Sequence, residues 1–255
     1  MRERVLLMGP PGAGKSHQLI NVIKYLEDTK KNVFLIDLED KMEATLGSMK
    51  YSPKHLKLYI ATSWEELAAG YFDNTKQKHI DAAINTISSS VKPDDWIMID
   101  RVDLAWSMAQ RWFTKQKYEE ELAERLMEKS KELKKSSMFI PRFDQGSWQV
   151  INEQYESFMI KVLYRSSANV ILTSGIRASE EGSPLDVYGH IGVAPRGQKE
   201  LAHQPHSVFL LGQKKVGREI SWTITTAKDL PERPYFDHED LIDFSFQYLA
   251  NYYKE

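Results

Sequence analysis

Arg4-Val-Leu-Leu-Met8-Gly9-Pro10-Pro11-Gly12-Ala13-Gly14-Lys15-Ser16-His17 is the stretch on which the fold turns. Val5–Met8 is a short apolar run, stopped by Gly-Pro-Pro-Gly. From Ser16 to Leu26 the spacing becomes helical, with Leu19, Ile20, Val22, Ile23 and Leu26 apolar. The sequence therefore reads strand, glycine-rich turn, helix, and the turn fits G-x-x-x-x-G-K-[ST]. Such a turn binds phosphate for a physical reason. Gly9, Gly12 and Gly14, with Pro10, Pro11 and Ala13 between them, let the chain wrap so that successive N–H groups through His17 converge on an anion. The helix adds its positive dipole end. Lys15 would bridge β- and γ-phosphates, and the Ser16 hydroxyl would hold Mg²⁺.

Outward from the loop, short apolar runs alternate with longer helical patterns. Val33–Ile36, Leu58–Ile60, Trp96–Ile99 and Val170–Thr173 read as further strands. Trp64–Phe72, Lys76–Ile87 and Trp148–Tyr164 read as helices. Continuously apolar strands separated by helices predict a parallel sheet covered on both faces. Gln110–Lys135 is a charged helical segment with a thin apolar stripe, read as a solvated surface helix or a partner-contacting lid. Phe139, Ile140, Phe143 and Trp148 fall in the loop that follows and read as exposed. His206–Gly212 and Glu219–Thr226 predict a C-terminal antiparallel hairpin, and Glu239–Tyr252 an amphipathic closing helix. The organisation expected is one domain over 1–255, with a helical and loop insertion at about 107–148.

Composition narrows the function. The 255 residues are 42% hydrophobic and 27% charged, which excludes disordered and fibrous classes. There is no cysteine, which removes thiol nucleophiles, thiolate metal sites and disulfide scaffolds. With 34 basic and 36 acidic residues the net charge is −2, so a nucleic-acid surface would have to be a local patch. No apolar run approaches the roughly 20 residues of a membrane span, so no membrane partner is expected. The N-terminal apolar run is too short for a signal peptide, and a cytoplasmic location is expected.

Carboxylates at strand ends refine the chemistry. Trp96-Ile-Met-Ile-Asp100 is a hydrophobic strand ending in an aspartate suited to Mg²⁺, with Asp103 as the fallback. Asp94 and Asp95, just before it, read as solvent-facing caps. Arg101 follows Asp100 directly, so a catalytic base has to come from elsewhere. Val33-Phe-Leu-Ile-Asp37-Leu-Glu39-Asp40 supplies candidates.

The Asp37-Leu38-Glu39 strand end, the phosphate loop and the Ile99–Ala105 run together resemble the RecA-type P-loop ATPases, in particular the compact phage-encoded recombination and annealing members. The resemblance implies an α/β fold. It is a RecA-like P-loop NTPase core with a mainly parallel sheet flanked by helices and a C-terminal antiparallel hairpin. It implies ATP and Mg²⁺ as cofactors, Glu39 as the base that activates water, and Asp37 as a structural neighbour. Ser174, or Thr173 beside it, would replace the family's polar γ-phosphate sensor. Such ATPases hydrolyse at subunit interfaces, which implies a homo-oligomer and a finger from a neighbouring chain. Lys228 is the leading candidate, followed by Arg218 and Arg233. Loops after the fifth strand touch single-stranded DNA in the family, which points to Arg177, Tyr188, His190, Arg196, Lys199, His203 and His206. The location would then be the cytoplasm of a host cell. Two other classes stay open: a nucleotide or small-molecule kinase, and a nucleotide-dependent assembly switch with little turnover.

Overall fold

The apolar strands at Val5–Met8, Val33–Ile36, Trp96–Ile99 and Val170–Thr173 bury both faces beneath helices layered on either side, whereas the edge strand at Leu58–Ile60 is only partly buried. The computed structural model describes residues 2–135, 143–178, 191–217, 219–231 and 233–250. β1 (Arg4–Met8) leads through the phosphate loop into α1 (Lys15–Tyr25). β2 (Val33–Asp37), α2 (Met42–Ser48) and β3 (Leu56–Ile60) follow. A small ribbon, β4 (Tyr71–Asp73) and β5 (Lys78–Ile80), precedes α3 (Ala83–Ser90). β6 (Trp96–Asp100) runs into α4 (Asp103–Tyr118) and α5 (Leu122–Lys135). α6 (Gln145–Ile160) returns to β7 (Asn169–Ser174). β8 (Ile176–Ala178) and β9 (Val193–Pro195) pair beyond its end, before β10 (Ser207–Val216), β11 (Glu219–Lys228) and β12 (Glu239–Asp240).

The main sheet has the order β12-β11-β10-β1-β7-β6-β2-β3 among the described residues. From β10 to β3 all neighbours are parallel, while β11 and β12 are antiparallel. This is the expected architecture, a mainly parallel sheet flanked by helices with a C-terminal antiparallel pair. Alternation along the strands splits the core in two. Leu6, Met8, Ile36, Ile97, Ile99 and Leu172 face α3, α4 and α6 through Ile87, Met108, Phe113 and Phe158. Val5, Leu7, Leu35, Met98 and Ile171 face α1 through Leu19, Ile20 and Ile23. Each such side chain contributes about 1.5–3 kcal/mol relative to exposure. No helix among the described residues is long and apolar enough to cross a membrane.

Several local expectations are corrected. The helix expected over Trp64–Phe72 stops after the turn Glu65–Ala69, because Gly70 takes a left-handed φ of 74°. The helix expected over Lys76–Ile87 is a turn, β5 and α3. Asp73 closes that turn by accepting from the N–H groups of Thr75 and Lys76, a side-chain bond that competes with helix. The C-terminal helix shrinks to Ser245–Leu249, capped by Asp243, with β12 before it; residues 251 and 252 lie outside the described residues. α6 starts earlier than Trp148 because the Asp144 carboxylate caps the Ser147 N–H at 2.7 Å. The first part of Gln110–Lys135 is not a solvated face: Gln110, Phe113 and Thr114 are buried. Phe143 is buried against Phe113 and Trp148, whereas 139 and 140 lie outside the described residues. Asp95 is no solvent cap either. It is buried and accepts from the N–H groups of Asn32 and Lys92.

Arg233 is likewise withdrawn from the surface. Its guanidinium meets Glu3 at 2.9 and 3.0 Å, and both side chains are at most 1% exposed. It cannot present itself to a neighbouring chain. Removing one member of a buried pair strands the other charge. Arg233→Ala, which would strand the buried carboxylates of both Glu3 and Asp229, is therefore expected to lower unfolding free energy by about 3–5 kcal/mol in denaturant titration. A loss below about 1 kcal/mol would show that water already reaches the pair.

Candidate phosphate-binding and catalytic site

Strand register gathers the site before any side chain is considered. Met8 lies opposite Ser174, Leu7 opposite Thr173, Ile99 opposite Leu172, and Asp37 opposite Asp100. The C-terminal ends of four parallel strands thus form one edge, where open α/β sheets place their ligands. The phosphate loop leaves β1 at this edge. Gly9 fits only as glycine, since a Cβ there would stand 2.4 Å from the Leu211 carbonyl oxygen. Gly14 precedes α1 with φ 83°, a left-handed value that turns the following N–H groups inward.

Lys15 is buried, and its ammonium donates to the carbonyls of Gly9 (2.8 Å) and Pro10 (2.9 Å). Burial, and then the nearby Arg101 charge, push its pKa down, while Asp100, Asp103 and Glu39 oppose them. The Ser16 hydroxyl donates to Asp100 Oδ2 at 2.7 Å. The other oxygen of Asp100 accepts from the Thr173 hydroxyl. Burial raises the Asp100 pKa, and the two hydroxyl bonds work against that rise. Two hard oxygen donors this close beside an ammonium and a loop of N–H groups suit a magnesium-bound nucleoside triphosphate. The residues present fit that pair.

Glu39 and Arg101 form the opposite wall. A cleft of about 460 Å³ runs between them and the loop, lined by Gly12, Gly14, Lys15, Ser16, Glu39 and Arg101 among others. Arg101 sits at φ 66°, an uncommon conformation for a side-chain-bearing residue. Its N–H donates to Thr173 Oγ1 at 2.8 Å, which holds the turn after β6. From there the guanidinium reaches Glu39 at 2.5 Å and grips Asp103 at 2.9 and 3.0 Å. Lys41 adds a second, exposed cation to Glu39 at 3.2 Å. Asp37 accepts from the N–H groups of Glu39, Lys41 and Met42. It fixes the turn that presents Glu39.

The structure therefore brings together Lys15, Ser16, Asp100 and Glu39, with Gly9 to Gly14 of the loop and exposed His17 beside them. Ser174 is adjacent, but its hydroxyl donates to the carbonyls of Gly175 (2.8 Å) and Arg196 (3.3 Å), away from the loop. Thr173 is the strand-end hydroxyl that touches the acidic centre. Lys228 is not brought together with the loop. It pairs with Val208 near the start of β10, and its ammonium donates to the carbonyls of His203 and Pro205. His206 lies at that same far end, beside Arg4. Asp103 supports Arg101 rather than replacing Asp100, and also accepts from Gly175 N–H. Residues 188, 190 and 218 lie outside the described residues. Arg101 and Thr173 are the residues that sequence reading undervalued. The signal for Arg101 was its place directly after the strand-end aspartate.

No protein-family model matches the chain, and no curated protein does. Two of the solved structures similar to this chain illustrate the likeness. A KaiC-like protein from the hyperthermophilic archaeon Pyrococcus horikoshii OT3 shares 13% identity over 92% of this chain and 82% of its own, with a TM-score of 0.48. The RadB recombinase shares 11% over 92% of this chain and 85% of its own, with a TM-score of 0.43. Both scores are below 0.5, and the fold assignment rests on the sheet itself.

Proposed function

We propose that this chain is a RecA-type, Mg²⁺-dependent ATPase of one domain that assembles with copies of itself and acts on single-stranded DNA in recombination, annealing or replication. The observation that carries the reading is that Lys15 and Ser16, at the start of α1, line one cleft with Glu39 from beyond β2, while Asp100 at the end of β6 bonds the Ser16 hydroxyl. Loop N–H groups and Lys15 bind the triphosphate, Lys15 exchanging its carbonyl partners for phosphate oxygens. Ser16 and Asp100 hold Mg²⁺, which neutralises charge on the phosphates when bound. Glu39 takes a proton from the attacking water. Arg101 and Lys41 hold the two carboxylate oxygens of Glu39, so it meets that water once Arg101 has let go.

Two features support the DNA part. β8 and β9 rise from the same sheet edge, with Arg177 on one strand and exposed Arg196 just after the other. Ser174 bonds the Arg196 carbonyl, which ties that ribbon to the strand beside the site. Lys228 would serve a neighbouring chain's phosphate only after breaking its two carbonyl bonds. The test is steady-state ATP hydrolysis with Mg²⁺, with and without single-stranded DNA. Hydrolysis stimulated at least about tenfold by the DNA is expected. Phosphoryl transfer to nucleoside monophosphates in place of hydrolysis would move the chain to the kinases. Tight ATP binding with negligible turnover would make it an assembly switch.

A further inference from the structure

A second cleft, of about 330 Å³, opens on the other side of the phosphate loop. It shares Gly12, Gly14 and His17 with the phosphate cleft, and its remaining walls are Gln18, Trp222, Leu241 and Ile242. The two clefts therefore adjoin around the start of α1. One is lined by Lys15, Ser16, Glu39 and Arg101, the other by an indole and two aliphatic side chains. We infer that the second cleft is the base-binding half of the nucleotide site, with Trp222 and Ile242 taking the faces of a nucleobase whose phosphates lie in the loop. The inference rests on the nucleotide-binding reading above and extends it to the other end of the molecule.

The walls are fixed rather than incidental. Leu241 N–H donates to the Trp222 carbonyl at 2.7 Å, which sets the segment after β12 against β11. Phe244 N–H donates to Gln18 Oε1 at 2.8 Å, which clamps that same segment over the first turn of α1. Trp222 Nε1 reaches the Gly12 carbonyl at 3.3 Å, and its ring lies 3.5 Å from where a Cβ on Gly14 would be. Gln213 donates to the same Gly12 carbonyl at 2.6 Å. Trp222 is nevertheless 43% exposed and Ile242 84% exposed, although both sit on this braced frame. Large apolar surface left open beside a phosphate loop is what a flat, weakly polar ring would cover. Aromatic stacking also tolerates different bases, so the slot selects for a base more than for a particular one.

Equilibrium binding of ATP and of inorganic tripolyphosphate, both with Mg²⁺, separates the two halves. Trp222→Ala is expected to weaken ATP about 5- to 100-fold and tripolyphosphate by less than roughly twofold. Trp222→Phe is expected to restore ATP affinity to within about threefold of the wild type, because the stacking face survives. Ile242→Asp touches only an exposed position and is expected to weaken ATP while sparing tripolyphosphate. Unchanged ATP affinity in both Trp222→Ala and Ile242→Asp would overturn the slot while leaving the phosphate site standing. Parallel loss of both ligands in Trp222→Ala, with Ile242→Asp unaffected, would also overturn it, since Trp222 would then be a prop for Gly12. A wild-type chain that binds neither ligand would remove the nucleotide reading and this inference with it.

Discussion

Glu39→Gln is expected to cut Mg²⁺-ATP turnover by about 10²–10⁴-fold, the usual contribution of a positioned general base. The substitution keeps the shape of the side chain and its reach to Arg101 but removes the proton acceptor. ATP affinity should stay within roughly tenfold, because the loop, Lys15 and Ser16 are untouched. Arg101 gives the prediction a second arm. The guanidinium holds Glu39 and Asp103 at once, so it acts on the chemistry through that carboxylate. Arg101→Ala should therefore alter turnover much less in the Glu39→Gln background than in the wild type, and a double-mutant cycle measures the difference. Near-normal hydrolysis in Glu39→Gln would place the base elsewhere and leave the carboxylate as a partner for Arg101 alone.

Lys15→Ala is the other large effect, for a different reason. The ammonium is buried, and Gly9, Pro10 and the Asp100 carboxylate surround it. A charge aimed at the phosphates from a low-dielectric pocket contributes about 10²–10³-fold to rate when it is lost. Affinity should fall as well, so the substitution should depress kcat and raise KM together. Stability should hardly suffer, since removing Lys15 relieves a buried cation rather than creating one. Thermal unfolding of the variant without nucleotide checks this. A wild-type Tm with hydrolysis lost marks Lys15 as functional, whereas a Tm that falls with the rate marks it as a strut of the loop.

How much of this was legible in the chain differs from residue to residue. The phosphate loop was legible because its pattern is local: glycines, lysine and serine stand within eight consecutive positions, and the flanking strand and helix announce themselves by period. Asp100 was legible because it ends a hydrophobic strand, at the edge of the sheet where ligands gather. Glu39 was reached only through resemblance, since nothing in Asp37-Leu38-Glu39 says which carboxylate faces the cleft. The structure shows how they differ: three backbone N–H groups engage Asp37, whereas Glu39 lines the cleft. The helices misread at 64–87 and 239–252 failed where an aspartate or glycine redirected the backbone, at Gly70, Asp73 and Asp243.

Sequence by itself determined the strand–loop–helix unit, the apolar strands and the side chains offered as candidates for phosphate and metal, because each depends on neighbours within a few residues. Tertiary structure alone decided which side chains oppose them. Thr173 meets Asp100 across 73 positions and Arg101 meets Glu39 across 62. Trp222 meets Gly12 across 210. Such pairs are set by strand order and register, which the sheet fixes only once it has assembled, and no local pattern encodes them.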